Sequence, residues 1–203
     1  MKAAPSVRGV SSALGVLLLV VGFGIGLGFA SIYHTTSNIG VVTTTRLATT
    51  TVQGSGQPDL VEYCFSPSGD CSSVVIKWIK RATSSIHVLI YSFTLNQVSD
   101  ALISAKNRGV EVKIVTERSN ANESGAEYSR LRNAGVNIRL DSNPSSMHDK
   151  VAIIDGHIVL TGSFNWSQAA SSRNNENLVV IDSSTWAAAF EAQFQQIYGQ
   201  ATS

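Results

Sequence analysis

Met147-His148-Asp149-Lys150-Val151-Ala152-Ile153-Ile154-Asp155 is the stretch on which the fold turns. Side chains of an extended chain alternate sides, so His148, Lys150 and Ala152 share one side of a strand. The apolar run from Val151 to Ile154 meets Asp155-Gly156, a strong turn pair, and a second run, His157 to Leu160, follows. Two short β-rich runs joined by Asp-Gly predict a hairpin.

Outward from this hairpin, strand-like and helix-like segments alternate. Leu60 to Cys64, Ile86 to Tyr91, Val110 to Val115, Val136 to Leu140 and Leu178 to Ile181 read as strands. Ser72 to Ala82, Val98 to Asn107, Glu123 to Asn133 and Trp186 to Tyr198 read as helices, the middle two stopped by Gly109 and Gly135. The alternation with one hairpin predicts an α/β class, a mixed β-sheet with helices on both faces. This domain is expected to span residues 59–203, long enough for a core of its own.

The first 58 residues differ in character. Ala13 to Ala30 is eighteen residues without a charge, and none of Asp, Glu, Lys or Arg occurs between Arg8 and Arg46. Eighteen helical residues reach roughly 27 Å, enough to cross a bilayer core. Residues 1–12 are therefore expected as a short cytoplasmic N-terminus and 13–32 as a transmembrane anchor, since Lys2 and Arg8 precede the apolar run. The domain would then be extracytoplasmic. A cleaved signal peptide is the alternative, with Gly28-Phe29-Ala30 as a loose cleavage site and a secreted or periplasmic product. The length of the run favours an anchor. Gly22 and Gly26 share a helix face that could pack on another helix, though glycine is common in membrane helices. Residues 33–58 are rich in threonine and read as a flexible linker.

Charge restricts the partners. The domain holds twelve of the fifteen Lys and Arg and all fourteen Asp and Glu, a net charge of about −2. That argues against tight nucleic-acid binding over a broad surface, and leaves room for one electropositive cleft. Cys64 and Cys71 are too few for a zinc site, and His34, His87 and His157 stand at no recognisable ligand spacing. They read either as a disulfide closing a short loop, if the domain is exported, or as two free thiols.

The chemistry concentrates around the hairpin. An imidazole and an ammonium projecting together suit a phosphate diester: Lys150 polarises the non-bridging oxygens, and a neutral His148 nitrogen can attack phosphorus. Beyond the hairpin comes Gly162-Ser163-Phe164-Asn165-Trp166. Ser163 and Asn165 share a side and can donate to a phosphoryl oxygen, and glycine at 162 permits close backbone approach. Glu176, in Asn175-Glu176-Asn177, could hold the second nitrogen of an imidazole. His87 and His157 lack a lysine two residues on and read as ordinary polar residues. Asp155 fits the turn and reads as structural. The sequons at Asn165 and Asn122 read as coincidence and a weak surface signal.

This H-x-K-x4-D stretch, with Gly162, Ser163, Asn165 and Glu176 following it, resembles the phospholipase D superfamily, especially its small single-motif nucleases. Phe65-Ser66-Pro67 and Tyr91-Ser92-Phe93-Thr94 extend the resemblance, which covers the chain after Leu60. The family's chemistry uses two H-x-K units around one phosphate. A chain with one copy is therefore implied to act as a homodimer. One His148 would form a phosphohistidine and its partner's copy would act as general acid, the lysines standing where a metal might, with no cofactor. The resemblance implies a nuclease on DNA or RNA, for which Lys113, Arg118 and Arg173 are candidate substrate contacts. The anchor favours a second reading, hydrolysis of phosphatidyl head groups or cardiolipin-like lipid. However, a linker of about 25 residues lets the domain roam by roughly 25–30 Å. A third reading, a non-catalytic binding module, fits poorly with the full residue set.

Overall fold

A computed structural model describes residues 59–202. The expected N-terminus, anchor and linker lie outside the described residues. Among the described residues no helix is long and apolar enough to cross a membrane.

Seven strands form one sheet: β1 (Asp59–Ser66), β2 (Ser85–Ile90), β3 (Glu111–Thr116), β4 (Asn137–Leu140), β5 (Lys150–Ile154), β6 (Ile158–Gly162) and β7 (Glu176–Asp182). Their spatial order is β1-β7-β6-β5-β2-β3-β4. β2, β3 and β4 run parallel, and every other neighbouring pair is antiparallel. The expected hairpin is β5–β6, with Ile154 opposite Ile158.

The helices are α1 (Cys71–Arg81), α2 (Asn96–Asn107), α3 (Tyr128–Asn133), α4 (Gln168–Ser172) and α5 (Ser184–Gln200). They create two cores, one per sheet face. Val75 and Ile79 of α1, Val98 and Leu102 of α2 and Leu131 of α3 pack with Ile86, Val88, Ile114 and Ala152. Ala187, Phe194 and Tyr198 of α5 pack on the other face with Leu89, Val115, Val151 and Ile153. Adjacent residues of β5 thus enter opposite cores, which is why its apolar run is continuous rather than alternating.

Two differences from the sequence reading have local causes. The helix expected from Glu123 is confined to α3, because Gly125 takes φ +81° and the Glu127 amide donates to the Phe93 carbonyl instead of a helical partner. The short helix α4 was not anticipated. Ser167 caps it by accepting from the Ala170 amide, which also explains why that sequon serine is buried. Cys64 and Cys71 are joined, closing the loop between β1 and α1 with Cα atoms 5.4 Å apart. His87 is a packing residue: its ring stacks on Phe194, Nδ1 meets Glu191 and Nε2 meets Glu111.

Asp155 ties the hairpin to the rest of the fold. It adopts φ +52°, and its carboxylate accepts from the amides of Thr83, Ser84 and Ser85 and from the hydroxyls of Thr83 and Ser84. Partial burial pushes its carboxyl up, but these donors more than reverse that and hold it well below the usual carboxylate range.

Candidate active site

The opposite end of the hairpin faces an open cleft of about 470 Å³ lined by His148, Lys150, Gly162, Ser163, Asn165 and Glu176, together with Asn177. Residues distant in sequence meet there because β5 begins, β6 ends and β7 begins at the same edge of the sheet.

Alternation explains how the loop after β6 presents its polar groups. Phe164 and Trp166 are buried, and Trp166 meets Phe93 edge to face at 5.2 Å. With these rings turned inward, Ser163 and Asn165 are left on the cleft side. The Asn165 carbonyl oxygen accepts from the Ser92 amide at 3.2 Å, which leaves its NH₂ group to donate into the cleft. Ser163 Oγ accepts from the Asn177 amide at 3.1 Å, so its own proton is likewise free to point outward. Gly162 is required sterically: it has φ +144°, and a Cβ there would lie 2.3 Å from the Asn177 carbonyl oxygen.

Lys150 is buried, while the His148 ring is exposed. The ammonium donates to the His148 carbonyl at 2.7 Å, which spends one of its three protons and keeps two for a ligand. It also sits 4.8 Å from the centre of the Tyr91 ring, whose centroid is 4.4 Å from that of His148. Tyr91 thus braces both members of the motif. Burial pushes the Lys150 ammonium below the ordinary lysine value, against the pull of the Asp149 and Glu176 carboxylates. Glu176 accepts from Asn174 Nδ2 at 3.0 Å, and among the described residues no hydrogen bond joins it to His148 of the same chain. Among the described residues no cluster of three or more His, Cys, Asp or Glu side chains could hold a metal ion.

Glu117 has a supporting position. Its buried carboxylate accepts from the Met147 amide at 2.8 Å and from the amide and hydroxyl of Ser119. Burial pushes its carboxyl up, yet these donors and the Arg118 charge bring it below the usual range. An ionised group therefore holds the backbone one residue before His148. Sequence reasoning missed Glu117, Tyr91, Ser92 and Asn177. Tyr91 and Ser92 stood in a quoted motif without a role, and nothing local marked Glu117.

The three candidate substrate cations do not line the cleft. Lys113 pairs with Glu111 at 2.8 Å, midway along β3. Arg118 donates to the Asp141 carbonyl and the Thr202 hydroxyl. Arg173 is exposed at the end of α4, one residue before Asn174. A different feature borders the cleft: on β1, Tyr63 is 63% and Phe65 57% exposed, with Leu60 and Val61 also outside the cores. Phe65 stands opposite the cleft residue Asn177, so this apolar strip runs up to the site.

Comparison with known proteins agrees with this geometry. Residues 75–198 match the family described as cardiolipin synthase, PLD-like domain. A phospholipase D of Rickettsia typhi is 34% identical over 167 residues, 80% of this chain and 81% of that protein. A mitochondrial cardiolipin hydrolase of Chlamydomonas reinhardtii is 33% identical over 137 residues, 68% of this chain but 60% of the relative's length. Among solved structures, the phospholipase D family member Nuc from Salmonella typhimurium superposes with a TM-score of 0.68 at 36% identity, over 71% of this chain and 97% of that one. The fold, the clustered residues and these similarities together place the chain in the phospholipase D superfamily of phosphodiesterases.

Proposed function

We propose that the protein hydrolyses phosphodiesters through a phosphohistidine on His148, at a site shared by two copies of the chain, and that its substrate is a phospholipid head-group diester. One observation carries the catalytic reading: an exposed imidazole, a buried ammonium with protons to spare, and the free donors of Ser163 and Asn165 all converge on one cleft. A neutral His148 nitrogen attacks phosphorus as the bond to one alcohol oxygen breaks. The imidazolium of the second copy's His148 gives its proton to that oxygen. The same second imidazole, now neutral, takes a proton from water, whose oxygen attacks phosphorus and breaks the P–N bond. Lys150, Ser163 and Asn165 stabilise the charge on the non-bridging oxygens. Glu176 fixes an imidazole; since it makes no bond to His148 of its own chain, we assign that contact to the facing copy.

The exposed strip of Leu60, Tyr63 and Phe65 beside the cleft supports the twofold arrangement, because a second copy seated there would cover apolar surface next to the site. An anchor at 13–32 would hold the domain within reach of lipid. Head-group diesters rank first because, among the described residues, Lys150 is the one Lys or Arg lining the cleft, and because relatives at 33–34% identity are named for phospholipid substrates. Nucleic acid is the second reading, favoured by exposed Arg173, which stands three residues before Glu176 in the sequence. The test is to incubate the full chain, with chelator present, with phospholipid vesicles, plasmid and single-stranded oligonucleotide, and to analyse alkali-quenched protein by mass spectrometry. Release of head group and a base-stable, acid-labile phosphoryl group on His148 are expected. Cleavage of nucleic acid alone would reverse the substrate ranking, and turnover without any phosphoryl adduct would remove the mechanism.

A further inference from the structure

His148 borders a second, separate groove. This one, of about 580 Å³, lies between the loop 141–147 and α5. Its α5 wall carries Gln193, Gln196 and Gln200, which fall on one helical stripe by their spacing. All three are exposed, and among the described residues none of their amides makes a hydrogen bond, although neighbouring Gln195 is bonded to Glu191. The loop wall is held from within: the Asn143 amide donates to Asp141, Asn143 Oδ1 accepts from the Ser145 amide, and Asn143 Nδ2 donates to the Ser146 carbonyl. The rigid wall therefore faces a row of unspent amides.

Among the described residues the lining holds no Lys or Arg and two carboxylates, Asp141 and Asp149. Arg118 reaches the wall only through the Asp141 carbonyl. A neutral amide both donates and accepts, which matches a hydroxyl group, whereas a phosphate here would meet two carboxylates and, among the described residues, no lysine or arginine of the lining. The groove and the Lys150 cleft thus differ in kind while sharing His148 between them.

Resting on the phosphodiesterase reading, we propose that this groove is a subsite for an uncharged, hydroxyl-bearing alcohol arm of the diester, such as a glycerol or sugar moiety, and that it selects against arms carrying a further phosphate. On exposed amides a hydroxyl exchanges places with water, so each hydrogen bond adds a modest net preference over an arm that lacks the hydroxyl.

The experiment is calorimetric binding to the full chain carrying His148→Asn, so that turnover does not intervene. Three soluble methyl phosphodiesters are compared, identical except for a glyceryl, a propyl or a phosphoglyceryl arm. The glyceryl ester, with two hydroxyls to bond, is expected to bind about tenfold tighter than the propyl ester, and the phosphoglyceryl ester more weakly than the glyceryl. Gln193→Ala with Gln196→Ala should bring the glyceryl-to-propyl ratio close to one, and Gln196→Lys should improve the phosphoglyceryl ester relative to the glyceryl. Tightest binding of the phosphoglyceryl ester, or a glyceryl-to-propyl ratio that ignores the glutamine substitutions, overturns the subsite. Because these are binding ratios, they stand apart from the catalytic reading, which fails separately if the wild-type chain cleaves none of the three.

Discussion

The two ends of the β5–β6 hairpin belong to one short motif and are built for opposite purposes. At the turn, every acceptor of Asp155 is taken: donors from Thr83, Ser84 and Ser85 surround its carboxylate. At the other end, Lys150 spends one proton on the His148 carbonyl, Asn165 keeps its NH₂ group and Ser163 keeps its hydroxyl proton. Saturated groups hold a fold together, and unsaturated ones wait for a ligand. The motif spacing is thus a strand-length constraint, since the anchored aspartate sets where the strand ends and so where the lysine projects.

The contrast can be broken by substitutions at each end. The largest effect is expected at His148, where replacement by Ala should lower turnover at least about 1,000-fold with little change in the urea midpoint, because the ring is exposed. Asp155→Asn should do the reverse. It tolerates the same backbone conformation but places an amide donor among donors, and should cost about 3 kcal/mol of stability with activity per folded molecule retained. Its sign with pH is fixed: a carboxyl depressed in the folded state stabilises above its unfolded value, near pH 3.9, and that stability is lost as pH falls below it. The gap between wild type and Asp155→Asn in chemical denaturation should therefore begin to narrow as pH drops through about 4 and go on narrowing towards the lower folded-state value. A gap of constant size would mean the latch is not electrostatic.

Smaller effects separate chemistry from positioning. Asn165→Ala should reduce kcat about 30-fold with KM little changed, as expected for a donor used mainly in the transition state; a change confined to KM would make it a ground-state contact instead. Glu117 holds the backbone beside His148 and touches no substrate, so it is a positioning residue. Glu117→Ala should lower kcat about tenfold, and Glu117→Gln, which still accepts from the Met147 amide, should restore most of it. Equal loss of melting temperature and of kcat in both variants would assign Glu117 to stability alone.

Much of this arrangement is legible in the sequence. Alternation in 147–155 placed His148 and Lys150 together, the Asp-Gly pair placed the hairpin, and the resemblance linked Ser163, Asn165 and Glu176 to them; one cleft holds all five. The contacts that steady them were not legible. Ser92 lies 73 residues from Asn165, and Glu117 lies 30 from Met147, so their partners emerge only from strand order. The same holds for Lys113 and Arg118, which as bare charges looked available for substrate but are engaged by Glu111 and by Asp141 and Thr202. Charge can be counted in a sequence, whereas its neighbours cannot. Gly125 shows a milder form of the problem: its neighbours carry a helical pattern, and its positive φ keeps the helix from starting before Tyr128.

The central claim, that one phosphorus needs an imidazole from each of two copies, is tested most directly by subunit mixing. Wild-type and His148→Ala chains, tagged differently, are combined in varied ratios under conditions that allow exchange, and activity is plotted against the wild-type fraction. A shared site predicts a quadratic curve, with about one quarter of the activity left when half of the chains are wild type. A straight line, with about half left at that point, would mean that each chain works alone.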